Sequence, residues 1–307
     1  MKRDYINEKD WKPAEIEEIL DLAAEVKKRS LDYRQALHGK TLAMVFEKSS
    51  TRTRVSFEAG MFQLGGLAMF LSARDLQLGR GEPVSDTARV LSRYADAILA
   101  RTHAHATVEE LARFASVPVI NGLSDLLHPC QALADFQTIR ERFGTTRGFP
   151  LCYVGDGNNV AHSLLVTGAK LGARVTVVTP AGFEPRPQVL AWACEAATES
   201  GGFVRVTLSL EEGLAGARAV YTDVWASMGQ ESEAAVRAAK FEPYRITTRV
   251  FAMAEKDAIF LHCLPAHRGE EVEESVLESS ASAVFDQAEN RLHAQKALLV
   301  TLLPGAS

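Results

Sequence analysis

Five consecutive residues, Ser50-Thr51-Arg52-Thr53-Arg54, set three hydroxyls and two guanidiniums directly after the apolar run 42–46 and ahead of a helical pattern. Arginine forks match phosphate oxygens in pairs, and the hydroxyls and free N–H groups of a helix start add further donors. Such a set suits a small dianion. Ser and Thr also cap ordinary amphipathic helices, and Val55, Phe57, Phe62 and Leu64 fit one, so these residues alone leave both readings open.

Four further clusters carry candidate chemistry. His128-Pro129-Cys130-Gln131 opens a helical stretch. The positive end of a helix disfavours imidazolium and leaves a neutral ring able to donate to a carbonyl oxygen. A capping or core histidine is the plainer alternative, and Arg101, closing the strand 97–100 at a similar edge, adds weight to the first.

Gly155-Asp156-Gly157-Asn158-Asn159-Val160-Ala161 follows a strand and opens a helix, the setting of a dinucleotide fingerprint, which keeps a nicotinamide-dependent oxidoreductase in view. Against it, the next strand ends Val177-Val178-Thr179-Pro180 with no acid for a ribose, and the loop lacks the full glycine pattern. A tight turn that offers Asn158 or Asn159 to a ligand is the competing reading.

Asp223 stands at the base of the loop Val224-Trp225-Ala226-Ser227-Met228-Gly229, where a carboxylate can anchor an amino group or cap a helix beneath a surface loop. His262-Cys263-Leu264-Pro265 ends another apolar strand. A thiol at a sheet edge near cations can accept a hydrogen bond or a proton, though an inert buried cysteine fits too. With His267 these residues make a poor zinc set, because neighbours along a strand point to opposite faces.

The elements that must position these groups read as two α/β series. A helical period (Ile16, Ile19, Leu20, Leu22, Ala23, Val26) opens the first, followed by strands at 42–46, 68–71, 97–100 and 117–121 among helical stretches at 87–94 and 108–115. A long helix over 129–143 and a turn-rich junction at 144–150 put the boundary near 145. The second series has strands at 151–154, 174–178, 205–209, 219–222 and 259–262. The fold expected is therefore two tandem α/β domains, 1–145 and 146–307, each a parallel sheet flanked by helices. A last helix over about 291–303 is expected to return to the first domain.

Composition narrows the partners. The 307 residues are 47% hydrophobic and 24% charged, with a net charge of −5, which argues against nucleic acid and requires any anion to be held by a local basic pocket. A highly charged start, no apolar stretch of membrane-spanning length and four scattered cysteines (Cys130, Cys152, Cys194, Cys263) point to a cytoplasmic protein.

Taken together, the run from Phe46 through Glu47-Lys48-Ser49 to Arg54, His128-Pro129-Cys130-Gln131, Asp223 with Ser227-Met228-Gly229, and His262-Cys263-Leu264-Pro265 resemble the ornithine carbamoyltransferases in order and separation over nearly the whole chain. The first two motifs are shared with aspartate carbamoyltransferases, and the last two speak for ornithine. The resemblance implies transfer of the carbamoyl group of carbamoyl phosphate to the δ-amino group of L-ornithine, giving L-citrulline and phosphate, in arginine metabolism. It implies that Ser50, Thr51, Arg52 and Thr53 hold the phosphate and that Arg101, His128, Gln131 and Arg291 complete the carbamoyl phosphate site. Asn159, Asp223, Ser227 and Met228 would bind ornithine, and Cys263 and Leu264 would sit beside the reacting centre. Gln77 would reach the site of a neighbouring subunit.

Among these residues Arg101, His128, Asp223 and Cys263 carry the implied chemistry. The resemblance also implies a homotrimer, alone or assembled further, a cis Leu264–Pro265 peptide, and neither metal nor organic cofactor. A carbamoyltransferase for aspartate, putrescine or an acylated ornithine is the alternative within the same chemistry, and the Ser227-Met228-Gly229 loop with Cys263 argues against it.

Overall fold

The computed structural model describes residues 2–77, 81–226 and 234–303. The chain divides into two compact units, Met1–Gln137 with Glu289–Ser307, and Thr138–Ala288.

In the first unit, helix α1 (Pro13–Lys28) begins on a proline, whose missing N–H costs nothing there, and buries Ile16, Ile19, Leu20, Ala23 and Val26. Strand β1 (Thr41–Phe46) leads to α2 (Thr51–Gln63), β2 (Leu67–Ser72), α3 (Val84–Tyr94), β3 (Ala97–Arg101), α4 (His105–Phe114), β4 (Val119–Leu123) and α5 (Pro129–Phe143). The four strands are parallel in the order β2-β1-β3-β4. One face packs Ala43, Val45, Ile98, Ala100 and Val119 against Ala88, Val108, Leu111 and Ala112 of α3 and α4. Strand β4 starts two residues later than expected, after Pro118, where Tyr5 N donates to Val119 O at 2.8 Å.

The second unit continues with β5 (Pro150–Val154), α6 (Asn159–Lys170), β6 (Arg174–Val178), α7 (Pro187–Ser200), β7 (Phe203–Thr207), α8 (Leu210–Leu214), β8 (Ala219–Thr222), α9 (Ala234–Phe241), α10 (Thr248–Phe251), β9 (Ile259–His262) and α11 (Glu274–Leu277). Its five strands are parallel in the order β7-β6-β5-β8-β9. Strand β7 lies two residues earlier than the expected 205–209, because it starts right after the Gly201 helix stop and Ser209 is already the N-cap of α8, its side chain accepting from Glu212 N.

Helix α12 (Val284–Leu302) starts earlier than the expected 291. Its residues from Glu289 onward belong to the first unit. There Lys296 donates to Ser30 Oγ and Gln63 Oε1, both at 3.1 Å, and Lys27 donates to Asn290 Oδ1 at 2.9 Å. The two parallel α/β sheets are the fold class the sequence predicts.

Each topology gathers its own polar loops at one edge of its sheet. All strands of a parallel sheet end at the same edge, and ligand groups collect where the strand order reverses. In the first sheet that point lies between β1 and β3, and in the second between β5 and β8. No helix among the described residues is long and apolar enough to cross a membrane.

Candidate active site

In the first unit, the chain leaving β1 turns into α2 at Ser50, whose Oγ accepts Thr53 N at 3.2 Å. The cap reading is thus correct for Ser50, and it holds the first helical N–H groups at the sheet edge beside Arg52. Arg101 closes the neighbouring β3, where the register with β4 shifts, and is 5% exposed. His128 immediately precedes α5 and is equally buried.

Arg291 joins this set from α12. Its Nη1 donates to Gln131 Oε1 at 2.7 Å and its Nη2 to Thr53 Oγ1 at 3.2 Å. Gln131 in turn donates to Asp135 at 2.7 Å. Burial holds His128 well below the ordinary imidazole value, and the nearby Arg291, Arg101 and Arg52 guanidiniums push in the same direction. A neutral imidazole ringed by three permanent cations is a donor-rich site for a compact anion.

Arg54 stands apart from that set. Its guanidinium lies 3.8 Å from the centre of the Phe70 ring and its Nε pairs with Glu58 at 3.1 Å. Alternate residues of one short run thus serve different faces of α2. Gln77 is exposed beyond β2, and its carbonyl accepts Glu82 N at 3.1 Å.

In the second unit the loop after β5 carries Gly155, Asp156, Gly157 and Asn158. Gly157 packs so closely on the chain's own backbone that a Cβ there would lie 2.3 Å from Pro185 N, and its N–H donates to Phe183 O at 2.8 Å. The glycine that a dinucleotide fingerprint would spend on a pyrophosphate is here spent on residues 183–185. That geometry removes the main support for the oxidoreductase reading.

Asn158 caps α6, its Oδ1 accepting Val160 N at 2.9 Å and Ala161 N at 3.2 Å. Those bonds fix its amide, so Nδ2 donates to Asp223 Oδ2 at 2.8 Å across the strand switch point. Tyr153 donates its hydroxyl to the same Oδ1 at 3.3 Å. Asp223, 6% exposed, also receives Val224 N at 2.9 Å and the Cys263 thiol at 3.0 Å, both on Oδ1. Cys263 is half-buried, and Leu264 follows it with φ +58° before a cis Leu264–Pro265 peptide, the isomer that the resemblance implies.

The structure therefore brings together Asp223, Cys263 and Asn158. Asn159 sits one residue further on, as the first residue of α6, half-buried. Ser227 and Met228 lie outside the described residues. The residues alone left Asn158 and Asn159 as alternatives and the resemblance named Asn159; the group that orients Asp223 is Asn158, the N-cap one position ahead of the first helical residue.

Asp223, His262 and Cys263 bring possible metal-ligand atoms within 4.8 Å of one another, as do His267, Glu270 and Glu271. Both ring nitrogens of His262 are engaged, however: Nδ1 accepts Leu264 N at 2.9 Å and Nε2 faces Glu271 Oε1 at 3.1 Å. The ring has no lone pair left for an ion in the first group.

Arg237 of α9, a residue that no sequence pattern singled out, donates to Asp156 Oδ2 at 2.7 Å and to Trp225 O at 3.2 Å. It ties the loop after β5 to the loop after β8, two residues beyond Asp223.

Two parallel α/β units, one with a cationic, donor-rich cluster suited to a compact anion and one with a buried carboxylate beside a thiol, fit a transferase that takes an anionic group donor. The chain belongs to the aspartate/ornithine carbamoyltransferase family: the carbamoyl-P binding domain of that family matches residues 3–141 and its Asp/Orn binding domain matches residues 147–302. It is 55% identical over 306 residues to an ornithine carbamoyltransferase of Thermococcus kodakarensis, covering 99% of this chain and 97% of that one. The structure of an ornithine carbamoyltransferase from Pyrococcus furiosus superposes with a TM-score of 0.95 at 54% identity, covering 100% of this chain and 98% of that one. An acetylornithine transcarbamylase complexed with acetylcitrulline has the same fold at 32% identity, TM-score 0.89, covering 99% of this chain and 100% of that one.

Proposed function

We propose that the protein is an ornithine carbamoyltransferase, forming L-citrulline and phosphate from carbamoyl phosphate and L-ornithine in arginine biosynthesis. The observation that carries this reading is the buried, neutral His128 among Arg52, Arg101 and Arg291, coupled with relatives of that name over the full chain. Ser50, Thr51, Arg52 and Thr53 hold the phosphate, and Arg101, His128, Gln131 and Arg291 hold the carbamoyl end.

The reaction asks the δ-amine to attack the carbonyl carbon, forming a tetrahedral oxyanion that collapses as the phosphate oxygen leaves. Arg101, Thr53 and His128 aim donors at the oxyanion; a single such donor is typically worth ~10²–10³ in rate. Arg52 and the hydroxyls carry the charge on the departing phosphate. The attacking nitrogen must be neutral, whereas a free alkyl ammonium has a pKa of about 10. Asp223, held by Asn158 and Cys263, orients the amine and offers a carboxylate oxygen as acceptor for the proton that the amine sheds. Asn159, Ser227, Met228 and Leu264 complete the acceptor site in this reading.

Val55, Phe62 and Leu67 of the first unit are 54%, 81% and 58% exposed, apolar side chains that a subunit interface would bury. They support a homotrimer, alone or assembled further, in which Gln77 reaches a neighbouring subunit's site. The protein is assigned to the cytoplasm.

Product formation from carbamoyl phosphate tests the reading, with ornithine run beside aspartate, putrescine and N-acetylornithine. Turnover with ornithine alone is expected. Turnover with another acceptor would keep the phosphate site and overturn the roles of Asp223, Ser227 and Met228, and no turnover with any would overturn the reaction.

A further inference from the structure

Glu271 is fully buried and has no part in the chemistry above. Its Oε1 accepts His267 N at 2.6 Å and faces His262 Nε2 at 3.1 Å. The opposite ring nitrogen, Nδ1, accepts Leu264 N at 2.9 Å. A ring nitrogen that accepts a backbone N–H carries no proton, so the ring proton sits on Nε2 and is donated to Glu271. The backbone N–H of His262 is itself held by Gln287 Oε1 at 2.9 Å.

What the ring holds is a strained turn. Leu264 is the one non-glycine residue with positive φ among the described residues, at +58°. A leucine persists in that region only where its surroundings over-determine it. The bond from Leu264 N to the side chain two residues back repeats the pattern by which Asn and Asp side chains hold turns. Histidine performs that task in only one of its two neutral tautomers.

We propose that Glu271 is a positioning residue of the acceptor half-site. It fixes the Nε2–H tautomer of His262, whose Nδ1 then holds the Leu264 amide and turns the Cys263 thiol onto Asp223. Without the Glu271 acceptor the ring can carry its proton on Nδ1, two N–H groups then oppose each other, and the turn gives way. The kinetic consequence rests on the proposed reaction, while the geometry of Cys263 does not.

The test uses the full chain carrying Cys194→Ser, which removes the exposed thiol. Glu271→Met deletes the acceptor at similar length. His262→Asn offers Leu264 N a carbonyl oxygen that needs no particular tautomer. In Glu271→Met, iodoacetamide should alkylate Cys263 about fivefold faster or more, and kcat/KM for ornithine should fall about 10–100-fold, the usual range for losing the partner that orients a functional imidazole. Affinity for carbamoyl phosphate should stay within about twofold, since that site is built in the first unit.

Adding His262→Asn to Glu271→Met should bring both readouts back to within about threefold of His262→Asn alone, the coupling expected if Glu271 acts through the tautomer of His262. Additive losses in the double variant, or alkylation and ornithine kinetics of Glu271→Met within about twofold of the parent, would overturn the proposal. If Glu271→Met does not fold, His262→Gln decides: it can still bond Glu271 but presents no acceptor at the Nδ1 position, and unchanged Cys263 alkylation there would also overturn the proposal. Alkylation needs no turnover, so an inactive parent enzyme would count against the proposed reaction and leave this measurement standing.

Discussion

The Cys263 thiol donates to Asp223 Oδ1 at 3.0 Å, which places the proton between the two groups on sulfur. A thiolate and a carboxylate at that separation would repel each other. The thiol thus restrains one oxygen of Asp223, while Asn158 restrains the other at 2.8 Å.

Removing that donor should be felt by the acceptor substrate. A hydrogen bond to a charged group is worth about 1.5–3 kcal/mol, so Cys263→Ala should lower kcat/KM for ornithine about 10–100-fold. Cys263→Ser keeps a donor with a shorter reach and should raise KM for ornithine and lower turnover by less. Steady-state kinetics at saturating carbamoyl phosphate check this, and wild-type constants in both variants would make Cys263 a packing residue.

His128 should announce itself in two ways. Because it is expected to stabilise the oxyanion, His128→Ala should lower kcat by ~10²–10³ while changing substrate affinity much less. Its pKa is also depressed by burial and then by Arg291, Arg101 and Arg52. Above about pH 6.5 the ring is neutral whether the chain is folded or not. Below it the unfolded chain takes up a proton that the folded one refuses, so stability drains away as pH falls from about 6.5 toward the lower folded value. Urea unfolding at pH 7.5, 6.0 and 5.0 should show a shallower loss in His128→Gln than in the unaltered protein.

Much of this was legible in the sequence, for physical reasons that differ between elements. Short apolar runs broken by Gly and Pro mark the strands of a buried parallel sheet, and β1, β3, β5, β6, β8 and β9 lie close to where periodicity places them. Strand β7 slipped by two residues because Val206 and Leu208 read as a continuing alternation, whereas the polypeptide uses Ser209 to cap α8. Arg52 and Arg54 look equivalent in sequence and are not, since two residues along a helix rotate a side chain to another face, here onto Phe70. Contacts such as Arg291 with Thr53, 238 residues apart, leave no local pattern to read. Glu271 was invisible for the same reason: a buried carboxylate is recognised by its partners, and in sequence it is one acid among several.

The four cysteines should divide cleanly by environment. Burial pushes the Cys130 thiol up to about 12 and raises Cys152 further, with both side chains fully enclosed. Cys194 is exposed and Cys263 half-buried. Native titration with an aromatic disulfide should therefore release the equivalents of Cys194 and Cys263 only, and unfolding in urea should release the other two. Ornithine together with phosphate should slow the Cys263 reaction and leave Cys194 unchanged; equal slowing of both, or of neither, would separate Cys263 from the acceptor site.

Arg237 and Asp156 form a 2.7 Å ion pair whose side chains are 10% and 12% exposed. Taking two charges out of water costs several kcal/mol, which the mutual attraction of the pair helps to offset. Arg237→Met leaves the Asp156 carboxylate buried beside the Trp225 carbonyl that Arg237 also bonds, two acceptors without their shared donor. The expected loss is about 3–5 kcal/mol of unfolding free energy. Substituting both, Arg237→Met with Asp156→Leu, removes the stranded charge and should recover most of that loss, because an apolar pair of similar volume often matches a buried ion pair. Since Arg237 also bonds Trp225, two residues beyond Asp223, the double variant separates two roles: stability that returns while KM for ornithine stays raised assigns the pair to positioning the acceptor site. Recovery of both together assigns it to stability alone.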